Sequence, residues 1–275
     1  MSESTDATAA GRSAARERKL TFRGGGFVVE QRTWMSVAAF AILIALWQIA
    51  TGTGLISPIF LPSPMRVVRA LVDLAMSGDL WRHMSASLMR IGYGWLIGTV
   101  FGIGIGLMVG LFTVSRAVGL PLVAALFPIP KIALLPLLIL WLGIGEGSKV
   151  ATIALSVFFP TVIATFSGVD SVPRNLIRMA QSFNVPLWRI VSQVLVPGAL
   201  PGILSGFRIS IAAALLVLVA AEMIGAQYGI GAFLILTGNM MQTDRLMAGV
   251  VVVSVLGLSM SMIVSAVERR LLRWR

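Results

Sequence analysis

The sequence contains no cysteine, a single histidine (His83), two tyrosines and only 11 acidic residues among 275. Without cysteine there is no disulfide, no thiolate metal ligand and no cysteine nucleophile, and one histidine excludes a histidine-rich zinc centre. Charge is scarce as well: 12% of the residues are Asp, Glu, Lys or Arg, about half the fraction of an ordinary soluble domain. No G-x-x-x-x-G-K-[ST], H-E-x-x-H or G-x-S-x-G motif occurs, and "GEGSK" at Gly145–Lys149 puts Ser148 where a phosphate loop needs glycine. The chain has neither that nucleotide-binding loop nor these hydrolase signatures.

What is abundant is apolar. The composition is 57% hydrophobic with a mean hydropathy of +0.92, and runs close to the roughly 20 residues that cross a bilayer recur along the chain. They predict an all-α integral membrane protein with six transmembrane helices, over 34–54, 86–112, 118–142, 149–169, 200–223 and 246–267. Residues 1–33, rich in Ser, Ala, Gly and Arg, read as a disordered basic arm. Residues 34–85 hold the first span and an external amphipathic helix, which Ser63 caps, Pro64 opens and Val67, Val68, Leu71 and Leu74 make apolar on one face. The core spans fill 86–268, and 269–275 form a basic tail.

The net charge of +11 is concentrated in the head, in the stretch containing Arg174, Arg178 and Arg189, and in the tail with Arg269, Arg270, Arg273 and Arg275. Cytoplasmic loops carry such an excess, so both termini are placed in the cytoplasm and no nucleic-acid partner is needed. Arg66, Arg69, Arg82, Arg90, Lys149 and Arg245 fall to the outer side, Asp79 and His83 to a solvated helix face, and Arg208 snorkels to the inner interface.

Gly94, Gly98, Gly102, Gly106 and Gly110 recur every fourth residue of the second span. In lipid, where packing drives association, such a stripe marks a close helix–helix contact. The third span holds Pro121, Pro128, Pro130 and Pro136. Breaks of this kind persist at membrane depth where the chain faces protein or a water-filled path, which makes Pro136 and the mid-span Lys131 candidate lining residues. Glu222, near the outer end of the fifth span, is the third candidate.

The stretch 170–198 is polar between apolar spans. Leu176, Met179, Ala180 and Phe183 form one apolar helical face, Asn184 suits a left-handed stop, and Pro186 opens a second helix with Leu187, Ile190, Val191, Val194 and Leu195 on one side. Pro197 and Pro201 are expected to break the chain before the fifth span. Such a pair can lie on the membrane, pack under its own bundle or fill a groove on a partner.

"RMAQSFNVPLWRIVSQVLVP", together with "LPSP", "SLMRIGYGWLIG", "PIPKIALLPLLILWLGIGEGSK", "PGALPGILSGFRISI" and "AAEMIGAQYGIG", resembles the membrane-spanning permease subunits of binding-protein-dependent ATP-binding cassette importers, of the nitrate, taurine and aliphatic sulfonate type. In that pattern Ala180 matches the second alanine, Asn184 replaces a glycine, Pro197 is the closing proline, and Arg178 stands where glutamate is usual. The resemblance implies a type I importer (MetI-like) permease fold in a bacterial cytoplasmic membrane. It makes 170–198 the coupling segment, with Arg178, Met179, Ala180, Phe183, Asn184, Leu187, Trp188, Ile190, Val191 and Pro197 meeting an ATPase. It also implies a paired permease or homodimer, two cytoplasmic ATP-binding subunits that use ATP and Mg, an external solute-binding protein and a small anion as cargo. No cofactor or metal is expected on this chain, and no catalysis. A secondary transporter or an intramembrane enzyme is the alternative.

Overall fold

A computed structural model describes residues 33–273, and these are helical with no strand among them. The expected arm therefore lies outside the described residues except for Thr33, as do the last two residues of the tail. The helices are α1 (Thr33–Gly52), α2 (Pro64–Met76), α3 (Asp79–Leu111), α4 (Thr113–Leu126), α5 (Leu135–Leu142), α6 (Glu146–Asp170), α7 (Arg174–Ser182), α8 (Leu187–Ile190), α9 (Val196–Gly225), α10 (Ile230–Asn239) and α11 (Thr243–Leu271). Five helical stretches are long and apolar enough to cross a bilayer, and a bent pair makes six. The chain divides at Leu46 into two separate units: the first holds most of α1, and the second, from Trp47 onward, holds the other helices.

The centre of the second unit is the contact of α3 with α6 and of α6 with α9, where Ile91, Ile153, Val157, Ala214 and Leu218 are all buried. The glycine stripe sets the first contact. A Cβ added to Gly94, Gly102, Gly106 or Gly110 would come within 2.6 to 2.9 Å of Ile153, Thr161, Thr165 or Val169, and one on Gly98 within 2.7 Å of Val157. Only glycine lets the two backbones approach this closely.

Prolines govern two departures from the expected spans. The third is not one helix: α4 and the stretch Lys131–Leu142 meet at 88° across Phe127–Pro130, because Pro128 and Pro130 remove two backbone donors in succession. Lys131 mends the break. Its Nζ donates to the carbonyls of Leu126 (2.8 Å), Phe127 (3.0 Å) and Ile129 (2.7 Å) and lies 4.4 Å from the centre of the Phe159 ring. Residue 130, the α-helical donor position for the Leu126 carbonyl, is a proline.

The second departure is the opposite. Pro197 and Pro201 do not break the chain, and helix continues through 39 residues from Leu187 to Gly225, about 58 Å at 1.5 Å per residue. One π turn, Val191–Leu195, makes this possible: Val196 N–H reaches back five residues to the Val191 carbonyl. That wider turn absorbs the ring of Pro197, which has no N–H to give. Elsewhere, Gly78 at φ 83 separates α2 from α3, which starts at Asp79, before the expected 86. The ten-residue α10 had no counterpart in the expected spans and, at about 15 Å, is too short to cross.

Candidate functional site

α6 runs 25 residues, so its two ends lie about 37 Å apart and carry different chemistry. At its first turn, charges from three helices converge beside the start of α10. Arg90 on α3 is 3% exposed and Glu222 on α9 is 1% exposed. Arg90 Nη1 donates to Glu222 Oε1 (2.7 Å) and to the Tyr228 carbonyl (2.6 Å), Nη2 donates to Glu146 Oε1 (2.7 Å), and Nε donates to Glu146 Oε2. Glu222 also accepts from Ser87 Oγ (2.7 Å) and from the Gly231 N–H (2.9 Å), while the Ile230 N–H donates to Ser87 Oγ (2.9 Å). The carboxylate thereby caps the N-terminus of α10, where the helix dipole favours negative charge.

Gly229 is required at this spot. Its φ is 138°, and an added Cβ would sit 2.5 Å from Glu222 Oε1 and 2.6 Å from Arg90 Nη1. The His83 ring holds the same residue, with Nδ1 2.9 Å from the Gly229 carbonyl oxygen and 3.1 Å from its nitrogen. His83 thus leaves the solvated face assigned to it. Arg90 and Lys149 likewise are not outer-loop charges: Lys149 is buried and donates to the Gly145 carbonyl (3.0 Å).

In this structure Glu222 is closed to solvent and held by Ser87, Arg90 and the Gly231 N–H. Lys131 is similarly committed to the carbonyls of its own break, whereas Pro136 stays exposed on α5. Glu222 and Lys131 lie in different places and are not brought together. An open groove of about 490 Å³ does exist between α6 and α9, lined by Pro160, Ile163, Ser167, Ser205 and Ile209 with Phe127 beside it. Sequence reading passed over it because small residues on two helices look like packing.

At the other end, α7 closes with Asn184 at φ 53. The Val185 N–H donates to the Ala180 carbonyl (3.1 Å) and the Asn184 N–H to the Gln181 carbonyl (2.9 Å). This paired closure satisfies the last carbonyls of a helix that ends in a left-handed residue. Around the turn, Phe183 is 76% and Trp188 63% exposed, and Met179, Leu187, Arg178 and Asn184 are exposed beside them. Ala180, Val191 and Pro197 are half-buried. Ile190 is buried with Leu195, Val169 and Ala199, so it anchors the segment to the bundle. Arg208 Nη2 donates to Glu268 on α11 at 2.6 Å.

An exposed apolar knob thus stands on a turn whose other face is buried in the bundle and which runs directly into a continuous helix. Residues 98–273 match the family described as binding-protein-dependent transport system inner membrane component. The chain belongs to this family. It is 35% identical to the taurine transport system permease protein TauC of Escherichia coli (strain K12) over 94% of both chains. With the putative aliphatic sulfonates transport permease protein SsuC of Bacillus subtilis (strain 168) it shares 36% identity over 86% of this chain and 85% of that one. Its fold is that of a chain in the inward-facing MetNI methionine ABC transporter, with a TM-score of 0.61, 18% identity and coverage of 77% and 98%. The protein is thus an importer permease, a transport subunit and not an enzyme.

Proposed function

We propose that this permease carries a small organic anion of the taurine or alkanesulfonate class across the cytoplasmic membrane, with both termini inside the cell. Two copies form the path, an external solute-binding protein delivers the cargo, and two cytoplasmic subunits consume ATP and Mg. The observation that carries this reading is the exposed apolar knob Met179–Phe183–Leu187–Trp188 on a segment whose other face is buried in the bundle. Closure of the ATPases displaces α7 and α8, and the unbroken helix to Gly225 carries that displacement through the membrane. The groove between α6 and α9, with its serines, is the wall along which the cargo passes.

The absence of cysteine makes the test clean. Phe183→Cys, introduced alone, is expected to crosslink to the ATPase subunit inside the cell, and taurine uptake into proteoliposomes is expected to need ATP, the ATPase and the binding protein. Labelling of the new thiol from outside, or uptake driven by an ion gradient with no ATPase, would overturn the reading.

A further inference from the structure

Beneath α7 lies a cavity of about 270 Å³, which shares Leu187, Ile190 and Val191 with the coupling segment. Its walls are apolar, formed by Leu111, Val169, Val172, Ile190 and Leu195, and Arg116, Asp170, Arg174 and Gln181 stand around them. Residues 174, 177 and 181 place one helical face of α7 along the cavity. The cavity sits where α3 ends at Leu111 and α6 at Asp170, so apolar spans give way to charged residues there, as they must at a membrane surface.

The charges around it do not balance. Arg116 Nη1 contacts Asp170 at 2.9 Å, with both side chains half-exposed, and its guanidinium lies 4.9 Å from the centre of the Phe166 ring. Arg174 has no ion-pair partner among the described residues. One positive charge is left over beside an apolar wall. A small water-soluble anion would satisfy the charge and leave the wall bare. An amphiphile with a phosphate above and hydrocarbon below satisfies both.

We propose that this cavity binds an anionic phospholipid, its phosphate held by Arg116 and Arg174 and its glycerol and upper acyl carbons against the apolar wall. The bound lipid bridges α7 to the α3–α4 turn, so the membrane itself becomes part of the joint through which the segment moves. Such a site requires only that this end of the bundle lies at a membrane surface, whether the inner or the outer one.

The test uses the full chain in nanodiscs of equimolar phosphatidylglycerol and phosphatidylcholine, with lipid retained after detergent exchange counted by mass spectrometry. Wild type is expected to retain phosphatidylglycerol, the Arg116→Gln/Arg174→Gln pair to lose roughly tenfold in retention, and the Arg→Lys pair at the same positions to keep most of it. Arg269→Gln/Arg270→Gln, which alters basic residues in the last turn of α11, is expected to change nothing. Gel filtration and thermal unfolding report whether each variant is folded. Equal retention in the Gln pair, equal loss in the α11 control, or release of the lipid by millimolar inorganic phosphate would each overturn the assignment, the last in favour of a free-phosphate site.

Discussion

The two ends of the bundle solve opposite problems. Around Arg90 and Glu222, buried charge is closed upon itself: donors from α3 and α10 meet the Glu222 carboxylate, and Arg90 is shared with Glu146. Around Asn184 the backbone is fully satisfied while large apolar side chains stand in the open. One end is closed within the chain, and the other leaves its largest apolar side chains uncovered. The difference teaches where rigidity belongs if the proposed coupling holds: the clamp fixes the helices to one another, so that a push at the Asn184 end would move them as a body.

Removing the clamp is expected to have the largest effect. Glu222→Ala strips Arg90 of one carboxylate and leaves the first N–H groups of α10 without their cap. A buried pair broken on one side costs about 3–5 kcal/mol. Thermal unfolding of the purified chain in detergent is expected to show a large drop. The Arg90→Ala/Glu222→Ala pair is expected to lose less than the sum of the single changes, because the two side chains act as a unit. A Glu222→Ala protein as stable as wild type would erase the contrast between the ends.

Next comes the seam that joins them. Gly102→Leu forces a side chain into Thr161 and is expected to cost about 1–3 kcal/mol of overpacking. Gly104→Leu, two residues on and facing open space, is expected to be neutral in the same unfolding assay. Equal effects would mean that α3 does not pack on α6 through the stripe.

At the Asn184 end the expected effect is smaller and of a different kind. Asn184→Val places a β-branched residue at φ 53, a local strain of about 1–2 kcal/mol, whereas Asn184→Gly removes it. Val at this position is expected to lower co-purification of the ATPase and to lower bundle stability by no more than that local strain, about 1–2 kcal/mol. Identical co-purification of the Val and Gly variants would detach the turn from partner binding.

Much of this arrangement is legible in the chain. The glycine stripe announces the α3–α6 seam, and asparagine before Val-Pro announces a left-handed stop. Even the clamp has a signal, since the four-residue period of Gly94, Gly98 and Gly102 extended one turn back lands on Arg90. Counting Arg90 as a loop charge hid it, because topology rules weigh arginines without asking which face they occupy. The rest is not local. Whether a proline breaks a helix depends on its neighbours. Pro128 and Pro130 fall together and bend the chain, while Pro197 sits beside a π turn that accommodates it. Burial of Ile190 depends on Val169 and Ala199, about twenty and nine residues away, which no periodicity within the segment contains.

The smallest effect expected is at the Arg208–Glu268 pair, which joins α9 to α11. The contact is short, 2.6 Å, yet Arg208 is 54% exposed along its side chain, so it resembles neither the buried clamp nor the open knob. Where water or lipid headgroups solvate one partner, an ion pair contributes about 0–1 kcal/mol, since Coulomb attraction is offset by the entropy of holding two long side chains. Arg208→Gln is therefore expected to leave unfolding within about 1 kcal/mol of wild type, and raised salt is expected to mimic it. A loss as large as that of Glu222→Ala would mean that α11 is tied to the bundle by charge, and that a second clamp stands outside the one formed by Arg90.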